Sequence, residues 1–152
     1  MNFISGIQAT AGALNAEQVR MDIVAQNLAN AHTTKDTDGN PYKRRVVSFE
    51  TVMTGAGSAE KGVRVSGVKP DDLTQGDLVY NPGHPHANGQ GMVQMPNVRL
   101  AVEMVDLMSA SRAYEANLSV ANCLASSKSS LTTPSPRATP SGTGSSRFRP
   151  PG

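Results

Sequence analysis

Two series of apolar residues, one near each end of the chain, recur every 3.5 positions. The first runs Ile4, Ile7, Ala11, Leu14, Gln18, Met21, Ala25 and Leu28, and Gln18 is its one polar member. The second runs Leu100, Met104, Leu107, Ser111, Tyr114, Leu118, Ala121 and Ala125. This period places every member on one stripe of an α-helix and is the period of helices wound against each other. The spacing therefore predicts helices over 3–30 and 98–125. At 1.5 Å per residue each would be about 40 Å long, and the matched lengths suggest that they lie side by side. Val19, Ile23 and Val24 fall off the first seam, so that helix needs more than one neighbour. Gly6 and Gly12 each cost about 1 kcal/mol against alanine in a helix interior, so the first turns should be soft in isolation.

The helix ends carry their own signals. Ser5 followed by Gln8 reads as a weak capping box, and Asn30 before the polar run 32–36 as a stop. Asn97, following Pro96, is the expected N-cap of the second helix. Glu103 and Asp106 stand near its N-terminal end, where the helix dipole favours negative charge. Asn27 and Asn30 are polar residues closing an apolar helix. They read either as a helix stop or as interhelical hydrogen-bonding groups.

Between the helices, residues 31–96 are rich in turn formers. Residues 42–49 and 62–68 read as strands, the second alternating Val63 and Val65 against Arg64 and Ser66. Residues 77–80 and 92–95 could be two more, joined by a long loop over 81–91. Six aromatics and no tryptophan in 152 residues leave material for a small β-core only. The expected fold class is α+β: terminal helices forming a coiled-coil domain (1–30 and 97–125), a small β-rich middle domain (31–96) and a tail. In that tail, 126–152, twenty of 27 residues are Ser, Thr, Pro or Gly, so it is expected to be disordered.

Charge excludes an easy misreading. Residues 1–125 hold ten Lys and Arg against twelve Asp and Glu, whereas the tail adds four basic residues and no acid. The basic character of the chain thus belongs to its tail, and nucleic-acid binding does not follow from it. Lys43-Arg44-Arg45 is a lone basic cluster in a strand, expected to be a solvated face or an inter-subunit contact. Arg112 and Glu115, three apart, are spaced to pair on the helix surface. No apolar run approaches the roughly 20 residues that cross a bilayer, and the N-terminus lacks the pattern of a cleaved signal peptide. The single cysteine, Cys123, cannot form an internal disulfide and reads as a small apolar residue. His84-Pro85-His86 lacks a third ligand at recognisable spacing, so no metal is expected there. Gly55-Ala56-Gly57 lacks the later glycine and lysine of a phosphate loop, and no nucleophile motif appears. Neither an enzyme nor a cofactor is indicated.

The stretch from Gly12 to Thr34, with its run Asn27-Leu28-Ala29-Asn30, resembles the N-terminal signature of bacterial flagellar rod and hook proteins. Residues 39–49, 80–91 and 96–117 follow in the same order and narrow the likeness to the proximal-rod group. The distal-rod and hook relatives carry large inserted middle domains, for which this chain is too short. The resemblance covers residues 1 to about 122 and implies a non-enzymatic structural subunit of the basal-body rod. It implies export from the cytoplasm through the flagellar type III apparatus without a cleaved signal, and assembly in the periplasm. Implied partners are copies of the chain, other rod proteins and the adaptor between rod and MS ring, with no nucleic acid and no membrane span. The helices would pair into the wall of a tube, with the middle segment outside. Subunit packing would fall to Ile4, Ile7, Leu14, Met21, Asn27, Leu28, Asn30, Leu100, Met104, Leu107, Tyr114 and Leu118.

One departure from the family stands out. Relatives continue the second helix to near the C-terminus, whereas here the apolar pattern breaks at about Cys123. The competing reading is a soluble two-helix binding module whose basic tail engages acidic partners.

Overall fold

Helix α1 (Phe3–Ala29) and helix α2 (Leu100–Thr132) lie antiparallel along each other in the computed structural model, which describes residues 3–53 and 61–132. Three contacts fix their direction. A Cβ placed on Gly6 would lie 4.0 Å from the Leu124 side chain, Arg20 reaches Asp106, and Asn27 reaches Glu103. Gly6, Arg20 and Asn27 are separated by multiples of seven, so the seam keeps the expected heptad period. It does not keep the expected residues.

Ala16, Ile23, Val24 and Asn27 are the buried side chains of α1, whereas Ala11, Gln18 and Ala25 of the anticipated stripe are exposed. Glu103 and Ala110 are the fully buried pair on α2, and Leu100, Met104 and Leu118 stand open. Ala16 and Ala110 are small enough to let two backbones approach closely, while Ile23 and Val24 line a groove with Val46, Val47 and Phe49 of the first strand.

Helix ends differ from expectation as well. Ser5 lies inside α1, which already begins at Phe3, so it is no cap. Arg99, whose carbonyl accepts the amides of Val102 and Glu103, occupies the start of α2 in place of Asn97. The second helix runs to Thr132, beyond the stop anticipated after 125. Serines propagate a helix once packing has nucleated it, because their intrinsic cost is only a few tenths of a kcal/mol each. The anticipated disordered segment otherwise lies outside the described residues, as does Gly55-Ala56-Gly57.

Strand β1 (Arg45–Met53) pairs antiparallel with β2 (Lys61–Pro70), from Arg45 opposite Pro70 to Met53 opposite Lys61. Their register slips between Ser48 and Phe49, leaving Ser66 as an extra residue that bends the ribbon. Short strands β3 (Leu78–Tyr80) and β4 (Met92–Gln94) form a second antiparallel pair. The two pairs do not join into one sheet, and they share no core. The β1–β2 ribbon uses α1 as its floor instead, so closely that a Cβ on Gly12 would sit 2.8 Å from the Val63 carbonyl oxygen. At Gly76 the fit is tighter, since a Cβ there would fall 1.8 Å from the Met95 carbonyl oxygen. The chain is α+β, with most of its few buried apolar residues on the helices or beside the end of α1, and Val93 buried separately on β4.

Candidate functional site

Where α1 ends, β1 begins and α2 starts, the chain buries a polar junction. Asn27 is 1% exposed and spends all four of its hydrogen-bonding positions inside the chain. Its Nδ2 donates to the Arg45 carbonyl at 2.9 Å and to Glu103 Oε2 at 3.1 Å. Its Oδ1 accepts from the Tyr42 hydroxyl at 3.0 Å and from the Arg45 amide at 2.8 Å. By pairing with both backbone groups of Arg45, the side chain acts as a one-residue strand at the edge of β1. Asn27 bonds across the two helices of one chain, to Glu103 on α2.

Asn30 does the other job. Its Nδ2 donates to the Gln26 carbonyl at 2.9 Å and its Oδ1 accepts from Thr33 Oγ1 at 3.1 Å, closing the helix locally.

Glu103 has no exposed surface, and its charge is met by Arg44 Nε on Oε1. Arg44 Nη2 also donates to Asp106 Oδ2 at 3.2 Å, and Asp106 Oδ1 faces Arg20 Nη2 at 3.5 Å. Arg20 in turn approaches Glu17 Oε2 at 3.8 Å, an atom that makes no hydrogen bond. Acids and bases thus alternate up the groove between α1 and α2. A buried ion pair adds little net stability, but removing one member is costly because the other charge stays behind. The ladder therefore specifies which side of α1 meets α2.

The basic cluster splits accordingly. Successive side chains of an extended segment point to opposite faces, so Arg44 enters the junction while Lys43 reaches outward to Asp72. Arg44 is thus committed within the chain, to Glu103 and Asp106, where a solvated face or an inter-subunit contact was expected.

Asn97 is a second buried amide. Its Oδ1 accepts from the Arg44 amide at 2.6 Å, and its Nδ2 donates to the carbonyls of Asp71 and Thr74 at 2.9 and 3.0 Å. It staples three loops together, which is why it does not cap α2. Asp71 accepts from the amides of Leu73 and Thr74 and from Thr74 Oγ1, and the Thr74 bonds hold its carboxyl below the usual range. Burial pushes the Tyr42 phenol above its ordinary value; Arg45 opposes this, and Glu103 and Asp36 add to it.

The histidines are spent on loop geometry. His84 Nδ1 accepts from the His86 amide at 3.1 Å, and His86 Nδ1 lies 2.8 Å from Thr34 Oγ1. Among the described residues no three metal-ligating side chains gather. Arg112 and Glu115 form no ion pair, and Cys123 is exposed.

The remaining candidates for subunit packing lie on the helix surfaces. Ile7 is 41% exposed, and Leu14, Met21 and Leu28 are half-buried; the Ile4 side chain lies outside the described residues. On α2, Leu107 and Tyr114 are half-buried and Leu100, Met104 and Leu118 are exposed. Sequence reasoning missed Val105 and Met108, at 63% and 57% the most open apolar side chains of α2, and Val102 and Val120 beside them. They fall off the 3.5-residue series, and only a count of apolar residues around the whole helix would have found them. A helix that is apolar on every side is one that expects to be covered. Among the described residues nothing covers this surface of α2.

Comparison with known proteins agrees with the resemblance. Residues 7–35 match the family model described as flagella basal body rod protein, and residues 90–122 the one described as flagellar basal body rod FlgEFG protein C-terminal. The flagellar basal-body rod protein FlgC of Bacillus subtilis is 42% identical over 137 residues, covering 80% of this chain and 91% of that protein. The FlgC of Escherichia coli O6:H1 is 44% identical over 114 residues, covering 75% and 84%. That of Borreliella burgdorferi is 36% identical over 141 residues, covering 80% and 90%.

Proposed function

Because the chain belongs to the FlgC family of flagellar basal-body rod proteins, we propose that it builds the proximal rod through the outward faces of α1 and α2. The observation that carries this reading is the open apolar surface of the two helices: Ile7 on α1, and Leu100, Val102, Met104, Val105, Met108, Leu118 and Val120 on α2. Full burial of such a side chain is worth roughly 1.5–3 kcal/mol; with about half of each already covered, a neighbouring subunit still gains around half of that for every one it buries. Contacts between unlike faces repeat without closing and produce a helical wall.

In this proposal residues 1–30 and 97–125, with the extra turns to Thr132, are axial elements wound as coiled coils, and 31–96 lie outside them. The subunit works as a non-enzymatic part of the drive shaft that carries torque. Its partners are copies of itself, other rod proteins, the adaptor joining rod to MS ring, and the type III export apparatus that delivers it, without a cleaved signal, to the periplasm. The polar junction holds each subunit's ribbon at a fixed angle to its helices. Exposed apolar residues on both helices weigh against an autonomous two-helix module, which would cover them itself.

The test is a pair of substitutions on the open face, Val105→Glu with Met108→Glu. The purified variant should melt as the parent does, while a strain carrying it in place of the parent builds no rods and does not swim. Normal rods in that strain would refute the reading.

A further inference from the structure

The described side chains of the two helices include only seven that carry charge: Glu17, Arg20 and Asp22 on α1, and Glu103, Asp106, Arg112 and Glu115 on α2. Four of them belong to the ladder in the groove. Asp22, Arg112 and Glu115 remain. All three are exposed, and none takes part in an ion pair or a side-chain hydrogen bond.

Their surroundings make this unusual. One helical turn or two from Asp22 on the same face stand Asn15, Gln18, Ala25 and Ala29, with no charge among them. The same offsets from Arg112 lead to Val105, Met108, Glu115 and Ser119; Glu115 is the one charge among them, and it forms no ion pair with Arg112. In the free chain water solvates both ions. Once a neighbour covers these faces, each would be buried, and a buried ion without a partner is strongly destabilising. Asp22 is the one unpaired charge on α1, and Arg112 the one unpaired cation on α2, among the described residues. Arginine's planar fork can serve two carboxylates together, so Glu115 need not be displaced.

We propose that Asp22 of one subunit pairs with Arg112 of a second copy of the chain, setting the register in which α1 of one copy lies on α2 of the next. Within a single chain the two side chains turn away from the seam and do not meet. Because the partners sit on different helices, each copy offers one half of the pair to each of two neighbours, and the contact propagates. The inference rests on the rod reading and adds to it the residues that choose the alignment, which an apolar face alone leaves free to slide.

The experiment is a charge exchange in a strain deleted for its own copy and complemented with Asp22→Arg, Arg112→Asp or both. Each single exchange sets like charges against each other, and should lower rod number and swimming by at least about tenfold. The double exchange should restore both to within a few-fold of the parent. The purified single variants should melt with the parent, since both positions are exposed. The proposal is overturned if either single variant swims normally, if the double variant is no better than the worse single one, or if a single exchange unfolds the purified chain. The parent chain in the same strain separates the two levels of inference. If it builds rods while the exchange fails to rescue, only the pairing is wrong, whereas a parent that builds none removes the rod reading as well.

Discussion

Asn27 Nδ2 stands 3.1 Å from Glu103 Oε2, a bond between two fully buried side chains 76 positions apart in the chain. It closes the helix pair at one end. It also links that closure to the ribbon, because the same amide group holds both backbone polar groups of Arg45. Three elements therefore share a single side chain.

Truncating that side chain should loosen all three together. Asn27→Ala leaves the Tyr42 hydroxyl, the Arg45 amide and carbonyl and one Glu103 oxygen short of a partner in a dry site. At roughly 1–3 kcal/mol for each unsatisfied group, a total loss of at least about 4 kcal/mol is expected. The urea midpoint of the purified chain measures it, and a loss below about 1 kcal/mol would mean that water enters freely.

Arg44 offers a sharper comparison. Arg44→Ala abandons the Glu103 charge in the interior and should cost about 3–5 kcal/mol. Replacing both partners, Arg44→Met with Glu103→Leu, should recover part of that loss, since the buried ion is gone while Asn27 Nδ2 loses its acceptor and Asp106 keeps only Arg20. Denaturation curves for the single and double variants decide the point. If the double variant is less stable than the single, the ladder contributes attraction as well as specificity.

Alkaline pH probes Tyr42. Its phenol titrates above the ordinary value in the folded chain because burial disfavours the phenolate. The unfolded chain, with its phenol near the ordinary pKa of about 10, then holds fewer protons, and stability is lost as pH rises from there through the folded-state value. Below that window the contribution is complete and constant. Tyr42→Phe should cost about 1 kcal/mol at pH 7 and should show a shallower decline above pH 10 than the parent. Equal slopes would argue that the phenol is solvated.

Two glycines should respond unequally to alanine. At Gly76 the new methyl would fall 1.8 Å from the Met95 carbonyl oxygen, so Gly76→Ala must displace the start of β3 or the end of β4. At Gly12 the distance is 2.8 Å to a carbonyl of the ribbon, and about 1 kcal/mol of gained helix propensity offsets part of the clash. Amide exchange should show the Met95 amide, bonded to the Asp77 carbonyl, losing protection in Gly76→Ala while α1 keeps its own. In Gly12→Ala the change should be confined to the β1–β2 ribbon.

The helices were legible in the sequence because a heptad period survives whichever residues hold it. Their contact face was not, since the pattern marks where large apolar groups recur, and here small ones line the seam. Ile7, Met104 and Leu118 carried the stronger signal yet stand outside, while Ala16 and Ala110 carried a weak one and are buried. The junction was half visible. Asn27 lay within a recognisable run, but nothing local marked Glu103, Tyr42 or Asn97 as its companions. Such partners meet only when elements far apart in the chain close on one another. Asn97 followed a proline and looked like a cap, and its long-range bonds prevailed over that local preference.

The bond between Asn27 and Glu103 also bears on the order of events. Two thirds of the chain must emerge before the carboxylate that completes the knot exists to receive it. A chain that emerges amino end first can seat α1 on the β1–β2 ribbon early, but cannot close the helix pair until then. Closure waits for the late arrival of α2, and such long loops make it slow. The placement of one glutamate thus decides when the two helices can lock together.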